Sequence, residues 1–155
     1  MGSRRFLTLG TMIAGIVVAC TSTAENQPGQ ATLTYDSAST EHSEASLDLD
    51  TGAMLDGSAA DLALVVSGGT TLFNVLEPVN GANALSAGTE EISVEDCRQR
   101  AASLSSGSIP EVFAGNHLCI LTNQDQWALV TIDKVSNPKQ GATSVQVSFV
   151  VEVSQ

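Results

Sequence analysis

Val145-Gln146-Val147-Ser148-Phe149-Val150-Val151-Glu152-Val153 carries the strongest two-residue alternation in the chain. Val145, Val147, Phe149, Val151 and Val153 fall on one face, and Gln146, Ser148, Val150 and Glu152 on the other. Successive side chains of a strand point to opposite faces, so this spacing predicts a strand with one face in a core. The same period recurs upstream. Trp127, Leu129 and Thr131 alternate with Ala128, Val130 and Ile132, and Asn137-Pro138 through Gly141 joins the two runs as a turn. Leu118 to Thr122 reads as a further strand, followed by the polar turn Asn123-Gln124-Asp125. The last third of the chain is therefore β.

Outward from this region the pattern holds in shorter pieces. Thr32-Leu33-Thr34-Tyr35 alternates, and the polar stretch from Ser37 to Ser46 reads as a loop. Leu47 and Leu49 alternate with Asp48 and Asp50, which predicts a half-exposed strand stopped by Thr51-Gly52. Leu62, Leu64 and Val66 stand opposite Ala63 and Val65, as in a strand buried on both sides. Leu72 to Leu76 is a short strand stopped by Pro78. Asn80-Gly81 and the small residues to Gly88 read as a turn-rich connection. One helix signal follows: Ser93 as cap with Asp96 three residues on, then Val94, Cys97, Ala101 and Leu104 on one stripe, ended by Ser105-Ser106-Gly107. The expected fold is mainly β, a β-sandwich or small barrel of about six or seven strands, with one short helix near 94–104.

The N-terminus has a different character. Arg4 and Arg5 precede an uncharged, mostly apolar run from Phe6 to Val18. A membrane-spanning helix needs about 20 apolar residues, so this run fits a signal peptide better than a permanent span. Val17-Val18-Ala19-Cys20 closes it and resembles the lipobox of bacterial lipoproteins, with Val17 at the place where Leu is usual. The resemblance implies a signal peptide over 1–19, lipid on Cys20 and an extracytoplasmic location; the residues that follow read as a flexible tether over 20–30 and a single β-rich domain over 31–155. Pro28-Gly29 and small polar neighbours support the tether. Two or three acyl chains on Cys20 hold firmly, at about 0.8 kcal/mol per buried CH₂. The expected location is the extracytoplasmic face of the cell membrane.

Charge narrows the partners. All 17 acidic residues follow Cys20, whereas only Arg98, Arg100, Lys134 and Lys139 are basic there. Phosphate backbones attract Lys and Arg, so nucleic acid is not expected as a partner. An anionic lipid surface repels such a chain, which leaves the lipid to hold it. Aromatic residues at 4% provide no carbohydrate platform. The odd cysteine count fits the same picture. With Cys20 assigned to lipid, Cys97 and Cys119 remain as a candidate pair, and an oxidising envelope favours a disulfide over a metal or catalytic role. The helix stripe turns Cys97 inward, where a strand cysteine could meet it.

The C-terminal half adds a second resemblance. Cys97, Ile109-Pro110, Gly115, Cys119-Ile120-Leu121-Thr122 and Trp127-Ala128-Leu129-Val130 follow a helix-cysteine, Pro-x-x-x-x-Gly, Cys-x-x-Thr, apolar-strand order. This is similar to a small extracytoplasmic module of actinobacterial proteins, found alone or joined to Ser/Thr kinases. Leu47-Asp48-Leu49-Asp50-Thr51-Gly52 and Ala60-Asp61-Leu62 look like its first half. Asp125-Gln126 stands where the module often has Gly-Arg. The resemblance implies a disulfide-linked β-rich module and no activity.

The residues invite three chemistries. Asp50-Thr51-Gly52-Ala53 matches the Asp-Thr-Gly-Ala of retroviral-type aspartic proteases, in which two carboxylates share a proton. One copy requires a homodimer, Asp48 replaces an apolar residue, and the second half of the pattern has only a faint echo in Phe113-Ala114-Gly115. Asp48, Asp50, Asp56 and Asp61 invite a calcium reading. Counted from Asp48, however, the sixth and twelfth places of a calcium loop hold Ala53 and Ala59 instead of Gly and Glu. Asp48 and Asp50 are expected about 7 Å apart on one strand face as solvated edge charges. His42 and His117 are isolated and make no zinc set. The expectation is a non-enzymatic envelope lipoprotein that binds a protein or small ligand, with no catalytic residue, metal or cofactor. The alternatives are a protease using Asp50 and a structural envelope component.

Overall fold

The strands along the chain are β1 (Glu25–Tyr35), β2 (Ser46–Asp48), β3 (Ala53–Met54), β4 (Leu62–Ser67), β5 (Phe73–Pro78) and β6 (Asn83–Gly88). Helix α1 (Val94–Gln99) follows, then β7 (His117–Leu121), β8 (Trp127–Ser136) and β9 (Thr143–Val153). The structure is a computed structural model that describes residues 25–35, 45–54, 58–67, 73–109, 111–136 and 143–153. Two antiparallel sheets form, with strand orders β1-β9-β8-β7-β6 and β3-β2-β4-β5. The fold is mainly β with one short helix, as the alternation predicts. Among the described residues no helix is long and apolar enough to cross a membrane.

β9 is the pivot of the larger sheet. It pairs with β1 along its full length and with β8 on its other side. Val145, Val147, Phe149 and Val151 are buried, as their spacing requires. Ala128, Val130 and Ile132 of β8 and Leu118 and Ile120 of β7 continue the same inner layer. Leu47, Leu62, Leu64 and Leu76 of the smaller sheet join them in one core. Each fully buried Leu, Ile or Val contributes about 1.5–3 kcal/mol, so this alternating layer is the main source of stability.

Three elements differ from the sequence expectation. β1 starts at Glu25, so residues 25–30 of the expected tether are strand. Pro28-Gly29 reads as a flexible break, but β1 is an edge strand, where proline is tolerated. Gly29 lies directly opposite Phe149, and a Cβ there would collide with the Phe149 ring. The glycine makes room for the ring and does not mark a turn. β6 is the second difference. Its small residues read as a connection, yet Asn83 to Ser86 pair with Leu121 to Leu118 of β7. Strand pairing overrides weak β-propensity where a neighbour supplies the hydrogen bonds. With β6 and the two-residue β3, nine strands stand among the described residues against the six or seven expected.

The helix is the third difference. Ser93 and Asp96 form the capping box: the Asp96 N–H donates to Ser93 Oγ (3.2 Å) and the Ser93 N–H to Asp96 Oδ2 (2.8 Å). The α-helix ends at Gln99, and a 3₁₀ turn over Ala101–Ser103 replaces the expected continuation to 104. Cys97 is the one residue of α1 that is buried, and Ala101 is exposed. A short helix depends on packing for stability, and no buried stripe extends beyond Cys97. α1 lies against β7, β8 and β9 on the outer face of the larger sheet. There Cys97 bonds to Cys119, with Cα atoms 5.2 Å apart and both residues fully buried. Beyond the helix, Ser105 exchanges backbone hydrogen bonds with Ala84 and Ile109 with Leu76. The segment thus ties β6, at the edge of one sheet, to β5, at the edge of the other.

Candidate functional site

The polar centre of the molecule is where the sequence predicts surface charge. Leu47, Asp48 and Leu49 are buried in succession, at 0%, 3% and 1% exposure. A strand cannot bury three successive residues on one face, and β2 does not continue past Asp48. The chain turns instead, with the Gly52 N–H donating to the Asp48 carbonyl (2.8 Å) and Gly52 at φ +73°. Asp48 folds back over this turn. Its Oδ1 accepts from the Thr51 N–H (3.2 Å) and its Oδ2 from Thr51 Oγ1 (2.8 Å).

Asp61 immediately precedes β4 and is fully buried. Its Oδ2 accepts from the Leu49 N–H (2.9 Å) and its Oδ1 from the Asn123 N–H (2.8 Å). The Asn123 amide in turn donates to the Ala59 carbonyl (3.1 Å). Asp61 therefore joins the turn after β2, the start of β4 and the turn between β7 and β8. Asp50 reaches that last turn as well. Its Oδ1 accepts from Thr122 Oγ1 (2.8 Å), while the Thr122 hydroxyl accepts from the Gln126 N–H (3.1 Å).

Carboxylate oxygens of Asp48, Asp50 and Asp61 all lie within 4.8 Å of one another. The expectation of solvated edge charges at Asp48 and Asp50 is thus corrected: Asp48 is buried and Asp50 half-buried. The cause is the set of N–H and O–H donors brought by Thr51 to Asp48 and by Thr122 to Asp50, which compensates for burying charge. Five of the six oxygens accept a hydrogen bond from a protein donor. The sixth, Asp50 Oδ2, is buried without one among the described residues.

Burial pushes the Asp50 carboxyl up to about 6. The Thr122 hydrogen bond opposes this shift, and the Asp61 and Asp48 charges reinforce it. Burial also raises Asp61, against the Asn123 and Leu49 N–H groups that favour its charged form and together with the Asp48 charge. The ion pairs among the described residues lie elsewhere: Arg98 with Glu95 and Glu152, and Arg100 with Glu90. Chemically, the arrangement is suited to holding a proton. A hard cation takes about six to eight oxygens, whereas five of these six already accept from N–H and O–H donors.

The other candidates sort by position. Cys97 and Cys119 are brought together. His117 begins β7, at the opposite end from Thr122, and its Nδ1 lies 3.1 Å from Thr131 Oγ1. Gly115 donates to the Ile132 carbonyl and Phe113 to Asn116 Oδ1, so this stretch makes no hydrogen bond to Asp50. Cys20, His42 and Asp56 lie outside the described residues. Sequence reasoning missed the role of Thr122, whose hydroxyl links the two turns. The Cys-x-x-Thr spacing singled it out but gave no hint of its partner 72 positions away. Comparison with protein-family profiles, characterised proteins and solved structures gave no match.

Proposed function

We propose that this chain is a lipid-anchored lipoprotein of the extracytoplasmic membrane face, a non-enzymatic module that displays its β-sandwich to a protein or small-ligand partner. The observation that carries the reading is the Cys97–Cys119 disulfide. A buried bridge suits an oxidising compartment, and it leaves Cys20 as the one cysteine without a disulfide role, directly behind the apolar run. The likeness of Cys97, Cys119-Ile120-Leu121-Thr122 and Trp127 to Val130 to an extracytoplasmic actinobacterial module supports the same compartment.

Cys20→Ala tests the anchor. The expected result is release from the membrane fraction or blocked processing; unchanged retention and mobility would sink it. Crosslinking in intact cells with mass spectrometry of captured proteins tests the display role. Asp50-dependent peptide cleavage without a captured partner would favour the protease alternative. A chain that captures no partner and cleaves nothing fits a structural envelope component.

A further inference from the structure

We propose that Asp48, Asp50 and Asp61 form a proton-operated latch between the turn after β2 and the turn between β7 and β8. The cluster sits between the two sheets. Asp61 accepts backbone hydrogen bonds from both turns, at Leu49 and at Asn123. Asp50 adds a second link through Thr122. These are hydrogen bonds between segments far apart in sequence, and the charge they surround decides whether they hold.

With Asp50 ionised, three negative groups share a space in which their oxygens lie within 4.8 Å of one another. Such carboxylates repel strongly once removed from water. Among the described residues, the groups facing Asp50 do not compensate. β2 contributes Asp48, the approach to β4 contributes Asp61, and the β7–β8 turn contributes the uncharged Thr122 and Gln126, with Asp125 exposed beyond them. Gln27 and Gln30 of β1, which share a rim with Thr51 and Gly52, bring no charge. A proton taken from solvent by Asp50 Oδ2 changes this. It removes one charge and turns the one oxygen of the three carboxylates that lacks a donor among the described residues into an O–H donor to a neighbouring carboxylate. The closed latch is therefore the protonated state; loss of the proton keeps the Thr122 hydrogen bond but restores the repulsion from Asp48 and Asp61, which pushes the turn over 49–52 away from Asp61 and Asn123. The latch does not depend on the anchor, so its failure would leave the assignment of Cys20 untouched.

The test uses the full chain in detergent, compared with Asp50→Asn, whose amide reproduces the neutral carboxyl and can donate in the same direction. Thermal unfolding is measured at about pH 5 and about pH 7.5. The expected result is that Asp50→Asn gains on the wild type as pH rises and melts roughly 5 °C above it at the higher pH. In the wild type, the Leu49 and Asn123 amide resonances should titrate with a midpoint near 6. A variant that keeps the wild-type pH slope, or amides that do not titrate in that range, would overturn the proposal. Stabilisation of the wild type by calcium chloride at the higher pH, absent from Asp50→Asn, would overturn it in favour of a cation. Should Asp50→Asn not fold, Thr122→Val removes the hydrogen bond that favours the ionised form and should raise the midpoint. An unchanged midpoint there also defeats the latch.

Discussion

β9 and the β2–β4 corner share one surface pattern and use it in opposite ways. Both alternate apolar and polar residues. In β9 the alternation maps directly onto inside and outside: Val145, Val147 and Val151 are buried, while Gln146 is exposed and Glu152 half-buried with Arg98 as partner. In Leu47-Asp48-Leu49-Asp50 the leucines go inside, but the aspartates follow them. What separates the two is the supply of donors. β9 has paired strands on both sides, so its backbone is satisfied by the ladder and its polar side chains are free to point outward. β2 ends after three residues, and the backbone N–H of Leu49 finds its acceptor in a side chain, Asp61 Oδ2. A polar residue is drawn inward where secondary structure leaves a buried backbone group without a partner.

The comparison breaks most sharply at Val147. Val147→Asp should abolish cooperative unfolding or cost about 4–5 kcal/mol in denaturant titration, because no donor surrounds a position that is fully buried in the apolar core. If an aspartate were tolerated there as well as at position 48, the donor argument would be wrong. Asp61→Ala should cost about 3 kcal/mol in the same measurement, since it strands the N–H groups of Leu49 and Asn123. Asp61→Leu should not recover the loss, because volume is not what the site lacks. Reduction of the Cys97–Cys119 bridge should cost a similar amount, about 3 kcal/mol for its 22-residue separation, by loosening the denatured chain. Gly29→Ala sharpens the β9 side. The added methyl meets the Phe149 ring and should cost about 1–3 kcal/mol, which Phe149→Leu should partly relieve.

The same contrast explains what the sequence alone could disclose. Alternation exposes β8 and β9 because both partners of each residue are other strands with the same period. The capping box is legible because Ser93 and Asp96 are three residues apart and need nothing else. The disulfide is legible from cysteine arithmetic. Pro28-Gly29 misleads because the reason for each residue, an edge position and the Phe149 ring, lies across the sheet. Asp50 and Asp61 mislead in the same way. Their donors at Thr122 and Asn123 are more than sixty positions from Asp61 and Asp50, and no local pattern reports that distance.

The smallest effect is also the one that separates the two kinds of aspartate by sign. Asp96 stands partly exposed at the N-terminus of α1, and its hydrogen bonds with the Ser93 hydroxyl and N–H hold its carboxyl below the usual range. A carboxyl lowered in the folded state stabilises the fold above its unfolded value, and that contribution disappears as pH falls through the folded value. Asp50 runs the other way. Its carboxyl is raised to about 6, so its contribution is full below the unfolded value and is lost as pH climbs to that point. Ser93→Ala should therefore cost about 1 kcal/mol near neutral pH and progressively less in acid. Expressed as variant minus wild-type stability, the Ser93→Ala difference should become more negative as pH rises, and the Asp50→Asn difference more positive. Measured across the same series of buffers, two parallel slopes would show that both aspartates answer to global charge, and the distinction between a capped surface carboxylate and a buried clustered one would fall.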